Sequence, residues 1–169
     1  MVKNGENKNN VLSTLDNLGY LGQYDSKFVS GFRVVIPKVY RGLLGEEFII
    51  TKGYEGALIV VDFKRWEKLI KPLKNTSFLS RSLRETLRFL IASAFVVKID
   101  SQGRFVIPAK LREYSGLTRE KIGSLVAIVG VFNWIEIWEY DRWIKHEGNL
   151  DVNADEIAEE LNALKEISS

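Results

Sequence analysis

The feature that most constrains this chain is an internal repeat. The segment KFVSGFRVVIPKVYRGLLG at 27–45 matches KIDSQGRFVIPAKLREYSG at 98–116, an offset of 71. Eight of the nineteen positions are identical, among them Arg33/Arg104, Ile36/Ile107, Pro37/Pro108, Arg41/Arg112 and Gly45/Gly116. Unrelated segments of that length share about one position on ordinary composition. After a six-residue insertion near LTREKIG the match resumes at offset 77, pairing Gly53 with Gly130, Arg65 with Arg142 and Trp66 with Trp143. The chain is a tandem duplication of a unit of roughly 50 residues, so its core must be built from two similar halves.

Each unit has the same coarse grammar. In the second, FVVKI (95–99) is a β-branched run, DSQG (100–103) a turn and RFVIP (104–108) a second strand. Pro108 has no N–H to give the ladder and opens a short helix that closes at Gly116. The strands SLVAIVGV (124–131) and WIEIWE (134–139) follow, joined by a turn near Asn133, and then a helical segment from Tyr140 to about His146. The first unit repeats this with FRVVIP, KVYRGLLG, EFIITKG, ALIVVD and FKRWEKLI. Between the units, Leu79, Leu83, Leu87, Leu90 and Ala94 recur at helical spacing and predict a helix over 77–95 with Arg81, Arg84 and Arg88 on another face. The tail carries Ile157, Leu161 and Leu164 at helical spacing under an acidic surface and reads as a docked or partner-binding helix.

With 169 residues, 46% of them hydrophobic, one compact domain or two small ones can be built. The absence of cysteine excludes disulfides, thiolate metal sites and thiol nucleophiles. The one histidine, His146, cannot assemble a multi-histidine site and reads as a surface or capping group. No phosphate loop, nucleophile elbow or H-E-x-x-H is present, so the chain reads as no enzyme and needs no metal or organic cofactor. No apolar run approaches membrane-spanning length, and the N-terminus lacks the apolar core of a secretory signal, so the protein reads as soluble and intracellular. Net charge is only +2, yet its distribution is uneven: 0 over 1–63, +9 over 64–119 and −7 over 120–169. A basic middle is the footprint of a polyanion binder, and it is also what a plain solvated helix face looks like.

The turn in DSQGR supplies the chemistry. Asp100 accepts backbone N–H groups across the turn and Gly103 takes a positive φ, which places Arg104 at the tip of a stiff hairpin. A rigid arginine presents a planar fork that suits guanine O6/N7 or a phosphate. Arg112 projects from the helix after Pro108 with Lys110 beside it. Two readings stand for Arg112: contact with nucleic acid, or pairing with a local carboxylate such as Glu113 or Asp100.

Two copies of a D-x-x-G-R-x-x-I-P-x-x-x-R pattern, each followed by a strand pair and an R-W helix, resemble the MraZ family. GQYDSKF (22–28) is similar to that family's opening, and VGVFNWIEIWEYDRW (129–143) to its second unit. The resemblance implies a mixed α/β, mainly β fold of tandem AbrB-like, swapped-hairpin (double-psi-barrel-like) units. It divides the chain into a flexible extension (1–19), a first unit (20–71), a connecting helix (72–94), a second unit (95–147) and an acidic helical tail (148–169). It implies a cytoplasmic, nucleoid-associated transcriptional regulator, mainly a repressor, of the division and cell-wall gene cluster. The partner is double-stranded DNA, read as direct repeats upstream of its own operon by a ring-shaped, octamer-like homo-oligomer. The DNA-facing residues carried over are Arg33, Lys38, Arg41, Arg104, Lys110 and Arg112, with Asp100 and Gly103 forming the turn. Exposed apolar strands such as SLVAIVGV also call for neighbouring copies. Two rivals stand beside this reading: an AbrB-like antitoxin that represses its own operon, and a structural ring that has lost DNA binding. The first unit departs from the pattern, with Val29 in place of Asp, Phe32 in place of Gly and Gly31 one position early, which predicts a re-registered first hairpin.

Overall fold

The computed structural model describes residues 18–74 and 80–167, so the extension expected at 1–19 lies outside it except for Leu18 and Gly19. The elements are β1 (Tyr20–Val29), β2 (Arg33–Val35), α1 (Lys38–Leu44), β3 (Glu47–Lys52), β4 (Leu58–Val61), α2 (Phe63–Lys74) and α3 (Arg81–Leu90). The second half follows with β5 (Phe95–Lys98), β6 (Arg104–Val106), α4 (Ala109–Ser115), β7 (Leu125–Phe132), β8 (Ile135–Glu139), α5 (Tyr140–Val152) and α6 (Ala154–Ile167). Residues to Glu139 form one compact unit and residues from Tyr140 another.

The eight strands make one antiparallel sheet in the order β5-β3-β4-β8-β7-β1-β2-β6. Its two outermost strands, β5 and β6, are the arms of a single hairpin, and Asp100 N–H bonds the Arg104 carbonyl between them at 2.7 Å. The sheet therefore curls until its edges meet, which leaves few unpaired ladder groups. The arms of that second hairpin pair with β3 and β2 of the first half, so the repeats interleave as swapped hairpins.

The register shows how the duplication is used. Along the β2–β6 seam Val34 faces Phe105, its own equivalent at offset 71. Along the β4–β8 seam Ile59 faces Glu136, its equivalent at offset 77. A pseudo-twofold axis thus passes through both seams, which stand half the strand order apart. The hairpin-closing bonds Gly53 N–H to Ala57 O and Val131 N–H to Trp134 O match Gly53 with Val131 rather than Gly130, because the first loop is one residue longer. Gly130 answers a different demand. A Cβ there would lie 2.7 Å from both the Tyr20 backbone and the Tyr40 hydroxyl.

Alternation along the strands fills the interior from both halves, with Tyr20, Phe28, Val34, Phe48, Phe105, Ile107, Ile128 and Ile137 buried. Phe48 meets Phe105 edge to face at 5.1 Å between ring centres. The Tyr40 hydroxyl reaches the Leu21 and Gly22 carbonyls at 2.9 and 2.8 Å, tying α1 to β1, and burial together with Tyr24 pushes its pKa up to about 12.

The Arg-Trp motif of the first half has a structural role. Asp62 precedes α2, accepts the Arg65 backbone N–H at 2.9 Å and pairs with the Arg65 guanidinium at 2.9 Å, while Tyr20 donates to it at 2.8 Å. Burial opposes ionisation of Asp62, but these donors outweigh it and hold its carboxyl below the usual range.

Helix lengths differ from the sequence reading in three places. The first Arg-Trp helix, read over FKRWEKLI, runs on to Lys74. The connecting helix starts only at Arg81, where Ser80 caps it by accepting the Leu83 N–H, and ends at Leu90; Leu79 lies outside the described residues. The helix expected to stop near His146 runs on to Val152, and α6 continues almost without a break, since Asn153 N–H bonds Asn149 O and Ile157 N–H bonds Asn153 O. Gly148 does not end it, because an exposed glycine costs a helix only about 1 kcal/mol.

Candidate nucleic-acid interface

The β2–β6 seam is a two-stranded antiparallel ribbon. Val34 and Phe105 point into the core, so Arg33, Val35, Arg104 and Val106 stand on the outward face. Arg33 opposes Val106 and Arg104 opposes Val35, which sets one arginine toward each end of the ribbon.

The second turn is built as the sequence indicates. Asp100 Oδ1 accepts the Gln102 and Arg104 N–H groups, each at 2.9 Å, and Gly103 N–H bonds the Asp100 carbonyl at 2.9 Å. Gly103 adopts φ +79, the left-handed residue that completes a three-residue hairpin loop. The Arg104 backbone N–H, its guanidinium and the Gln102 N–H hold the Asp100 carboxyl below the usual aspartate range. Arg104 is not thrust out freely. Its Nε donates to Asp100 Oδ2 at 2.9 Å, which fixes the fork beside the ribbon and half-covers it.

The first turn is not re-registered. Val29 pairs with Arg33 as Asp100 pairs with Arg104, leaving three loop residues in each hairpin. Phe32 takes φ +58, the left-handed conformation that Gly103 takes in the second turn, next to Gly31 at φ +75. The cost of a bulky side chain there, on the order of 1 to 2 kcal/mol, is offset by what the ring does. Arg112 places its guanidinium carbon 3.5 Å from the centre of the Phe32 ring. Ile107 N–H bonds the Phe32 carbonyl at 3.0 Å, just as Ile36 N–H bonds the Gly103 carbonyl at 2.8 Å.

The equivalent helix arginine of the first half sits the same way over the other turn. Arg41 donates through Nε to the Ile36 carbonyl at 2.8 Å and lays its guanidinium over Gly103, where a Cβ would come within 2.0 Å of its Cζ. Each helix arginine therefore covers the turn of the opposite repeat. The ion pair with Asp100, one reading for Arg112, is not formed, and the guanidinium lies on the Phe32 ring instead. Arg104 takes that carboxylate, and Arg33 approaches it at 3.9 Å while its Nε donates to Ser30 O at 3.1 Å.

Lys38 and Lys110 are exposed, at the first residue of α1 and the second of α4. Pro37 and Pro108 are the N-caps of these helices, with ψ of 137 and 143. Both helices close on glycine, Gly45 and Gly116, whose N–H groups bond the Arg41 and Arg112 carbonyls. The fold thus gathers Arg33, Arg41, Arg104, Arg112, Asp100 and Gly103 around one seam. Sequence reasoning missed Phe32 as a platform for Arg112. The signal was its alignment with Gly103, since a large residue that replaces a left-handed glycine needs a compensating contact.

Among the described residues no three histidine, aspartate or glutamate side chains converge to hold a metal ion. None of the described helices is long and apolar enough to cross a membrane.

The chain matches the family model described as "MraZ protein, putative antitoxin-like" twice, over residues 23–89 and 90–164. It is similar to proteins named Transcriptional regulator MraZ. That of Acetivibrio thermocellus is 35% identical over 86% of this chain and 98% of its own length. That of Thermoanaerobacter pseudethanolicus is 38% identical over 85% and 97%. A third, from Clostridium botulinum, is 33% identical over 86% and 98%.

Proposed function

This chain belongs to the MraZ family, and from that premise we propose that it is a sequence-specific DNA-binding transcriptional regulator, mainly a repressor, acting in the cytoplasm at the nucleoid. The observation that carries the reading is the ribbon itself. A two-stranded antiparallel ribbon fits the major groove, and this one carries Arg33 and Arg104 on its outward face with Lys38 and Lys110 exposed on the adjoining helices. In this reading Arg104 and Arg33 contact base edges or phosphates. The lysines supply phosphate contacts that position without specifying.

One ribbon offers few contacts, so affinity is expected to come from several copies engaging closely spaced direct repeats at once. Each further engagement is intramolecular and gains from a high effective concentration. A ring-shaped homo-oligomer bound upstream of its own operon, in the division and cell-wall gene cluster, fits that arithmetic. Footprinting and titration on the upstream DNA test it: protection of repeated short sites, with affinity falling steeply as salt rises, is expected. Absence of binding at low salt overturns the reading.

The antitoxin-like wording of the family model supports a second reading, in which the protein also neutralises a toxin while repressing its operon. Co-purification with the product of an adjacent gene is its test. A chain that assembles but leaves DNA unbound would instead be a structural ring.

A further inference from the structure

The outward face of the ribbon carries valines as well as arginines. Arg33 pairs across the seam with Val106, and Arg104 with Val35, so each end joins one charged and one apolar side chain. Val106 is 52% exposed and Val35 half-buried, while Val34 and Phe105 between them fill the core. The two outward valines occupy the same place in the repeat, at offset 71. The buried residues before them do not match, being valine in one half and phenylalanine in the other. The halves have diverged in the core here and kept the apolar residue on the surface.

Neither packing nor strand propensity accounts for Val106. With half of its surface in water it adds little to the core. Threonine satisfies a strand as well and exposes one methyl group fewer. On a ribbon that enters the major groove, an exposed aliphatic side chain has a specific counterpart. Thymine is the one DNA base that carries a methyl group, and that group projects into the major groove, where apolar side chains contact it.

We propose that Val106 reads the 5-methyl group of a thymine, while Arg33 across the seam bonds a guanine edge or phosphate beside it. The inference rests on the DNA-binding reading above and adds to it a residue that discriminates between bases. The spacing suits the division. Cβ atoms paired across a ladder stand about 5 Å apart and successive base pairs about 3.4 Å, so the two side chains reach the same or adjoining base pairs. Arg33 is steadied for its part by the bond from Nε to the Ser30 carbonyl. The unequal exposure of the two valines also gives the pseudo-twofold ribbon a direction along the DNA, because the Arg33–Val106 end presents more apolar surface than the Arg104–Val35 end.

Deoxyuridine lacks only that methyl group and pairs as thymidine does, so it isolates the contact. In a duplex carrying a footprinted repeat from the upstream DNA, each thymine is replaced singly by deoxyuridine and the full chain is titrated against it. At one thymine position the replacement is expected to weaken binding about fourfold per engaged copy, the effect of leaving one methyl group uncovered. Val106→Ala should bind the unmodified duplex about fourfold less well or worse and become indifferent to deoxyuridine at that position, whereas Val35→Ala should keep the penalty. Because Val106 is exposed, the alanine variant should retain the parent's circular dichroism. A scan in which no thymine position matters overturns the proposal, as does an undiminished penalty in Val106→Ala or a lost one in Val35→Ala. Each of those results leaves DNA binding itself standing; a parent protein that binds no duplex at low salt rejects both.

Discussion

The two hairpins at the β2–β6 seam share length, register and backbone handedness, yet solve the same problem with different chemistry. In the second, Gly103 supplies the left-handed residue and leaves room for the Arg41 guanidinium to lie against the backbone. In the first, Phe32 is held left-handed and offers its ring to Arg112. The lesson is that the backbone conformation, not glycine as such, is what the fold requires. The opposing arginine adapts to whatever fills that place.

The largest test of this comparison is Gly103→Val. A β-branched side chain at φ +79 is strained and would displace Arg41, so chemical denaturation is expected to show a loss of about 2 to 4 kcal/mol. Phe32→Gly trades a lost stack for relieved backbone strain and should change stability by less than about 1 kcal/mol. Equal losses at the two positions would show that the turns are not interchangeable frames.

DNA affinity sharpens the contrast next. Arg104 is braced at 2.9 Å by Asp100, whereas Arg33 holds a carbonyl at 3.1 Å and stands 3.9 Å from that carboxylate. Arg104→Ala is expected to cost about 1 to 3 kcal/mol per engaged subunit, and Arg33→Ala less, in titrations on the same repeated site. If both weaken binding equally, bracing does not rank the hairpins.

Smaller again is the stack. Arg112→Leu should cost about 0.5 to 1 kcal/mol in the parent and nothing further in Phe32→Ala, a coupling that a double-mutant cycle measures. At the low end lies a pH effect confined to the second hairpin. The Asp100 carboxyl is held below its unfolded value, so its contribution is fully present above the ordinary aspartate pKa of about 3.9 and is lost as pH falls through the lower folded value. Stability curves between about pH 5 and pH 2 should therefore be steeper for the parent than for Asp100→Asn. Parallel curves would remove Asp100 from the account.

The sequence legibly carried the strands, the turn at Asp100 and Gly103, the short helices between Pro37 and Gly45 and between Pro108 and Gly116, and the set of arginines at equivalent places. These are local properties: side-chain alternation, a proline without an N–H and a glycine at positive φ leave marks within a few residues. The exact bounds of α3 and α5 were less legible. An N-cap serine overruled the leucine spacing at one end of α3, and at Gly148 an exposed glycine did not suffice to stop α5.

By itself, then, the sequence determined that two like halves exist and which residues repeat. The family resemblance implied swapped hairpins, but only the tertiary structure decided which strands of the other half they pair with and that each helix arginine serves the other half's turn. Both are contacts between residues some 60 to 80 positions apart, as when Arg41 covers Gly103 and Arg112 covers Phe32. No local propensity encodes such a pairing. Burial of both apolar faces at once selects it, because a curled sheet with a shared interior leaves neither half exposed.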